Sequence, residues 1–131
     1  MAPNRILPDT CAWIDFLNGR QTALADALEQ ALLHGEVVTC GVVLYELVKG
    51  IRSPKEEALV LNAFQAVPHL EMTDNLWIKA GRLSATLRKK GHTLPFSDII
   101  ISTLALEHKL TVLTIDQYFD DVPGLAVVIG A

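Results

Sequence analysis

Short apolar runs with the look of β-strands alternate with longer amphipathic stretches along the whole of this chain, and that order constrains its fold more than any other feature. Ile6-Leu7, stopped by Pro8-Asp9, reads as a buried first strand. Val37-Val38-Thr39 reads as a second, the surroundings of Leu70 as a small third, and Thr111 to Thr114 and Leu125 to Ile129 as the last two. Helical patterns fill the gaps between them. Strands that alternate with helices imply a central, mainly parallel sheet with helices on both faces. No repeat, low-complexity tract or linker interrupts the pattern, so residues 1–131 are read as a single α/β domain, a length that can bury one real core. In such sheets ligands sit beyond the carboxyl ends of the strands, which gives priority to the residues just after each strand.

The helices carry their own start and stop signals. Thr10 to Leu17 can begin on a cap at Asp9 or Thr10. Thr22 to His34 places Leu24, Leu28, Ala31 and Leu32 on one stripe and ends at Gly35. Val42 to Lys49 is a short apolar helix closed by Gly50. Ser53-Pro54-Lys55-Glu56 has the capping-box pattern, with Leu59, Leu61, Phe64 and Ala66 behind it and Pro68 as the stop. Asp74 to Lys90 repeats Leu76, Ala80, Leu83 and Leu87 on one face and closes with three basic residues before Gly91. Ser97 is expected to cap a last helix to His108, whose Ile99, Ile100, Ile101, Leu104, Ala105 and Leu106 mark it as buried.

Four acids stand where a bland surface acid is not the first expectation. Asp9 directly follows the first strand, Glu46 lies inside the apolar Val42–Val48 segment, Asp98 opens the most buried helix, and Asp116 lies just past Thr114. Singly, each has a plain structural use: a helix cap for Asp9, an exposed helical position for Glu46, a charge near a helix N-terminus for Asp98, a turn for Asp116. Together they point to one edge of the sheet, where carboxylates repel one another unless something neutralises them. All-oxygen ligands suit Mg²⁺, with Mn²⁺ as a substitute. Such an ion binds a phosphate oxygen and lowers the pKa of a bound water, which is chemistry for phosphodiester hydrolysis.

The net charge of −4 and the pI near 5.5 exclude a protein that grips nucleic acid by bulk basic charge. They leave room for charge sorted locally, with a rim drawn from Lys49, Arg52, Lys55, Arg82, Arg88, Lys89 and Lys90. Mean hydropathy of +0.32 is high for a soluble chain, so either the core is unusually complete or a partner covers apolar surface. Two cysteines, Cys11 and Cys40, suggest no disulfide framework and read as small buried residues. The N-terminal residues show no apolar stretch of signal-peptide length, being interrupted by Pro8 and Asp9, no run approaches membrane-spanning length, and a cytoplasmic protein is expected.

Three stretches, in order and at matching spacing, resemble the PIN-domain ribonucleases of the VapC toxin type. They are Ile6 to Leu17, then Leu44 to Gly50, then Phe96-Ser97-Asp98 through Leu113-Thr114-Ile115-Asp116. The resemblance spans nearly the whole chain. It implies a PIN fold and a Mg²⁺- or Mn²⁺-dependent endoribonuclease that is the toxin of a type II toxin–antitoxin pair. Its partners would be RNA as substrate, a cognate antitoxin and a second copy in a homodimer. Carried over by position, Asp9, Glu46, Asp98 and Asp116 are the catalytic acids, with Asp9, Asp98 and Asp116 on the metal. Thr10 and Thr114 are hydroxyls that orient the acids or metal waters, and Asp15 is structural. Cys11 stands where the family usually has serine, Val43 where a hydroxyl residue is common, and Pro8 before the first aspartate is atypical.

Two other readings share some of these features. A receiver-type signalling domain also binds Mg²⁺ in an acid pocket, but a phosphoacceptor aspartate after a central strand and a late lysine–proline pair are not evident. A PIN-fold binding module without activity would not need the intact quartet. A dehalogenase-like phosphatase would want an aspartate where Cys11 stands, and a cysteine phosphatase an arginine where Leu17 follows Cys11 or Glu46 follows Cys40. The histidines show no zinc-ligand spacing, and there is no P-loop or dinucleotide-binding glycine motif.

Overall fold

Every strand pairing in the computed structural model, which describes residues 5–129, is parallel. Strand β1 (Ile6–Pro8) pairs with β4 (Thr111–Thr114), which pairs in turn with β5 (Ala126–Ile129). The register sets Leu7 beside Val112 and Val112 beside Val127. A second two-stranded unit joins β2 (Thr39–Cys40) to β3 (His69–Leu70). The two units meet where Ile6 bridges Val37. There the Ile6 N–H donates to Glu36 O at 2.8 Å and the Val38 N–H to Ile6 O at 3.0 Å. The spatial order is therefore β3-β2-β1-β4-β5.

Pro8 explains why β2 starts two residues later than the sequence suggests, at Thr39 rather than Val37. It is the last residue of β1 rather than its stop. Ile6 uses both backbone groups toward the 36–38 segment, and the next residue facing that way, Pro8, has no N–H to offer. Pairing with β1 ends there. Val37 and Val38 stay buried, and the chain moves on to pair with β3, beginning with the Thr39 N–H on Pro68 O at 2.9 Å.

Among the described residues six α-helices flank the sheet: α1 (Thr10–Leu17), α2 (Ala23–Leu33), α3 (Gly41–Lys49), α4 (Pro54–Gln65), α5 (Asp74–Lys89) and α6 (Phe96–His108). Val112, Leu113 and Thr114 are all buried although neighbours on a strand face opposite sides, so β4 is covered on both faces. Each fully buried Leu or Ile of this core contributes about 1.5–3 kcal/mol. Ser53 caps α4 as its pattern predicts, accepting the Glu56 N–H at 3.2 Å, while the Glu56 carboxylate reaches back to the Arg52 N–H at 3.0 Å. The buried stripe of α4 is Val60 and Phe64, leaving Leu59 and Leu61 exposed. The expected Ser97 cap is not found. Helix α6 starts at Phe96 behind Pro95, with no side-chain cap, which puts Ser97 and Asp98 inside its first turn. A short 3₁₀ helix, Gln117–Asp121, was not legible in the sequence and delivers Phe119 to the core.

Candidate active site

All strands run the same way, so Asp9 and Asp116 leave the sheet at one edge, and α6 brings Asp98 to meet them. One carboxylate oxygen from each of Asp9, Asp98 and Asp116 lies within 4.8 Å of the other two. Asp9 is the N-cap of α1, where its Oδ1 accepts the Thr10 N–H at 2.8 Å. Its Oδ2 accepts the Thr114 hydroxyl at 2.9 Å. The same Thr114 oxygen accepts the Asp116 N–H at 2.9 Å, so one hydroxyl ties two of the acids together. Asp116 in turn caps the 3₁₀ helix by accepting the Tyr118 N–H at 2.9 Å.

Glu46 is brought to the edge of this cluster rather than into it. Its Oε1 accepts the Thr10 hydroxyl at 2.8 Å. Thr10 therefore joins Glu46 to Asp9 as Thr114 joins Asp9 to Asp116, giving one continuous chain from Glu46 through Thr10, Asp9 and Thr114 to Asp116. Asp15 lies apart, accepting from Arg20 and from the Thr22 hydroxyl, each at 3.0 Å, and pins the α1–α2 turn.

The sequence reading of Cys11 needs correction. Cys40 is buried, but Cys11 is half-buried, with its thiol 3.8 Å from Asp9 Oδ2 and 3.7 Å from Thr114 Oγ1. Its position two residues after Asp9, in the first turn of α1, was the available signal. Burial and the Asp9 charge raise the thiol pKa, so Cys11 is a weak donor beside the acids rather than a reactive thiolate.

Asp98 is the most strained group electrostatically. It is 4% exposed and its Oδ2 has no hydrogen-bond donor. Burial first, then the adjacent Asp116 carboxyl and the charges of Asp9, Asp116 and Glu46, push its pKa up to about 8. Asp9 is also raised, chiefly by burial, against the lowering effect of Thr114 and Thr10. A buried carboxyl group with one oxygen lacking a donor, clustered with two further carboxylates, fits a hard divalent cation. It supplies the missing partner and cancels the repulsion, and the donor set is oxygen alone.

Two grooves meet at Glu46. One, of about 930 Å³, runs past Tyr45, Met72, Trp77 and Phe96. The other, of about 370 Å³, has Ile14, Leu17 and Leu59 for apolar walls, with Arg20 and Arg52 on its rim. Of the basic residues considered for a rim, Arg52 thus reaches the site's surroundings and Lys49 lies over the Tyr45 ring at 5.6 Å. Lys55, Arg82, Arg88, Lys89 and Lys90 are exposed and make no ion pair among the described residues.

A five-stranded parallel order with acids braced by hydroxyls at its carboxyl edge defines a class of α/β domain built around a carboxylate centre. The chain belongs to the PIN domain family, whose model matches residues 6–125. Solved structures show the same fold. The DNA-bound VapBC complex of Salmonella typhimurium matches with a TM-score of 0.81 at 19% identity, covering 97% of this chain and 98% of that one. The VapBC2 complex of Rickettsia felis, bound to a promoter DNA fragment, matches with a TM-score of 0.80 at 16% identity, covering 96% and 98%. VapBC-5 of Mycobacterium tuberculosis, from a family of toxin–antitoxin systems, matches with a TM-score of 0.67 at 25% identity, covering 97% and 98%. No curated protein sequence matches this chain. Among the described residues no helix is long and apolar enough to cross a membrane.

Proposed function

We propose that this chain is a metal-dependent endoribonuclease and the toxin of a type II toxin–antitoxin pair, acting in the cytoplasm. The observation that carries the reading is the gathering of one carboxylate oxygen each from Asp9, Asp98 and Asp116 within 4.8 Å of one another, at a buried Asp98 whose Oδ2 has no donor. Asp9, Asp98 and Asp116 would hold Mg²⁺, or Mn²⁺ in its place, which supplies a Lewis acid for the phosphate, a more acidic bound water and stabilisation of the leaving oxygen. Thr10 and Thr114 fix both oxygens of Asp9. Thr10 occupies Oε1 of Glu46, and its other carboxylate oxygen would take the proton from an attacking water. Water adds to phosphorus, the bond to the 3′ oxygen breaks, and that oxygen leaves with a proton. The products are a 5′-phosphate and a 3′-hydroxyl.

RNA as the substrate, and a second copy as a partner, follow from the family resemblance. The antitoxin reading is supported by relatives solved as VapBC complexes and by the apolar groove of Ile14, Leu17 and Leu59, which ends at Glu46. A segment lying there would cover apolar surface and could offer an arginine to the acids. The receiver alternative loses its support to the PIN family match, and a silent binding module has no use for the hydroxyl-braced acids. The test is incubation of purified protein with RNA in Mg²⁺ and in chelator. Cleavage is expected only with the metal, and full cleavage in excess chelator would refute the reading.

A further inference from the structure

Asp98 and Ser102 lie one helical turn apart on α6, and each buries a polar atom, Asp98 Oδ2 and Ser102 Oγ, that finds no hydrogen-bond partner among the described residues. Asp98 is 4% exposed and Ser102 is fully buried. Residues four apart share a helix face, with Cβ atoms about 5–6 Å from each other, so the two orphaned atoms belong to one place. Side chains on a helix lean toward its N-terminus, which tilts the Ser102 hydroxyl toward the turn that carries Asp98. The surroundings are apolar: Ile99, Ile101 and Ala105 are buried on the same helix, and a hydroxyl set among them is costly unless it is bonded. A buried hydroxyl on a helix has an easy local solution, the carbonyl four residues back. Thr103 takes it, donating to Ile99 O at 2.7 Å. Ser102 does not, so its hydroxyl is not tied to the backbone.

Resting on the reading of the three acids as a metal centre, we propose that Ser102 is a positioning residue for Asp98, acting through one buried water held between Ser102 Oγ and Asp98 Oδ2. Two hydrogen bonds of about 2.8 Å each span a gap of up to about 5 Å that a direct bond does not reach. One water then satisfies both atoms, as internal waters in proteins do. The consequence for the site is orientation. Asp9 is braced by the Thr10 N–H and the Thr114 hydroxyl, and Asp116 by the Tyr118 N–H. The Ser102 bridge gives Asp98 the brace that its neighbours already have. It holds Oδ2 toward the helix and leaves the other oxygen for the ion shared with Asp9 and Asp116. Ser102 touches neither metal nor substrate; it fixes the rotamer of a ligand, support whose loss costs about 10–100-fold in metal affinity.

Calorimetric titration of the purified chain with Mg²⁺, together with melting in chelator, reads this without recourse to cleavage. Ser102→Ala is expected to weaken Mg²⁺ binding roughly tenfold, and Ser102→Thr to restore most of it. Thr103→Ala removes the neighbouring buried hydroxyl; it should melt lower than wild type yet bind Mg²⁺ as wild type does, which separates general damage to α6 from loss of the bridge. In chelator the bridge still couples the two side chains, so the change in Tm on Ser102→Ala should differ between the wild-type and Asp98→Ala backgrounds. Unchanged Mg²⁺ affinity in Ser102→Ala overturns the proposal and leaves the metal centre standing. Equal losses of affinity in Ser102→Ala and Thr103→Ala, with additive changes in Tm, reduce Ser102 to a packing residue and also overturn it. A wild-type chain that binds neither Mg²⁺ nor Mn²⁺ refutes the metal centre, and the positioning role falls with it.

Discussion

Replacing Asp98 with asparagine keeps the shape of the side chain, removes one charge and sets catalysis against the stability of the metal-free fold. Two unit charges 4.8 Å apart repel by roughly 3.5 kcal/mol at an effective dielectric of ~20. The rise of the Asp98 pKa to about 8, caused first by burial and then by the neighbouring acids, corresponds to on the order of 5 kcal/mol if fully realised, and roughly 2–3 kcal/mol once solvent at the open side of the site screens it. Against this stands a favourable charge in the first turn of α6, worth ~0.3–1 kcal/mol. Repulsion wins. In chelator at neutral pH, Asp98→Asn should therefore melt above wild type by roughly 5–10 °C, at about 3–5 °C per kcal/mol for a domain of this size.

The pH dependence follows from the same shift. The folded-state pKa lies above the unfolded value, so the stability tied to Asp98 is fully present below about pH 4 and is lost as pH rises toward about 8. The gap between mutant and wild type should be near zero at the acid end and widen up to about pH 8. In Mg²⁺ at about a hundred times its dissociation constant, wild type should recover roughly 2.7 kcal/mol and the mutant much less. Melting curves of both proteins, in chelator and in Mg²⁺ across pH, measure all of this. A mutant that melts well below wild type in chelator at neutral pH would mean that Asp98 is chiefly a helix-end charge, and the repulsion argument fails.

Thr114→Val should weaken Mg²⁺ binding by ~10–100-fold, because Asp9 and Asp116 lose the hydroxyl they share, while Thr114→Ser restores most of it; calorimetric titration distinguishes them. Asp15→Ala should lower stability by about 1 kcal/mol through loss of the Arg20 and Thr22 contacts and leave metal affinity unchanged, as denaturant midpoints and the same titration would show. Expression of the chain alone should arrest growth of its host, and co-expression of a small protein encoded immediately upstream should restore it; harmless expression would count against the toxin reading.

The sheet was legible because parallel strands buried on both faces leave near-continuous apolar runs, and β4 is such a run. The acids were legible because each sits next to an element end or inside an apolar segment. What escaped was set by tertiary partners. Nothing local announces that the missing N–H of Pro8 displaces β2, since the lost bond belongs to a strand some thirty residues away. Ser97 has the residue type of a cap, yet the cap is Pro95 and α6 begins two residues earlier, which puts Asp98 inside its first turn, with a carboxylate oxygen within 4.8 Å of Asp9 and Asp116. Leu59 and Leu61 are as apolar as their neighbours, but Val60 and Phe64 take the inward face of α4. Cys11 was read by type, as a buried hydrophobe, when its place beside Asp9 decides its surroundings.

The most direct test of metal-dependent RNA hydrolysis at these acids is sequencing of RNA ends after brief induction of wild type and of Asp98→Asn. The expected result is new 5′-phosphate ends clustered at few positions, matched by 3′-hydroxyls and missing with Asp98→Asn. The same ends in both strains, or ends carrying 2′,3′-cyclic phosphate, would contradict it.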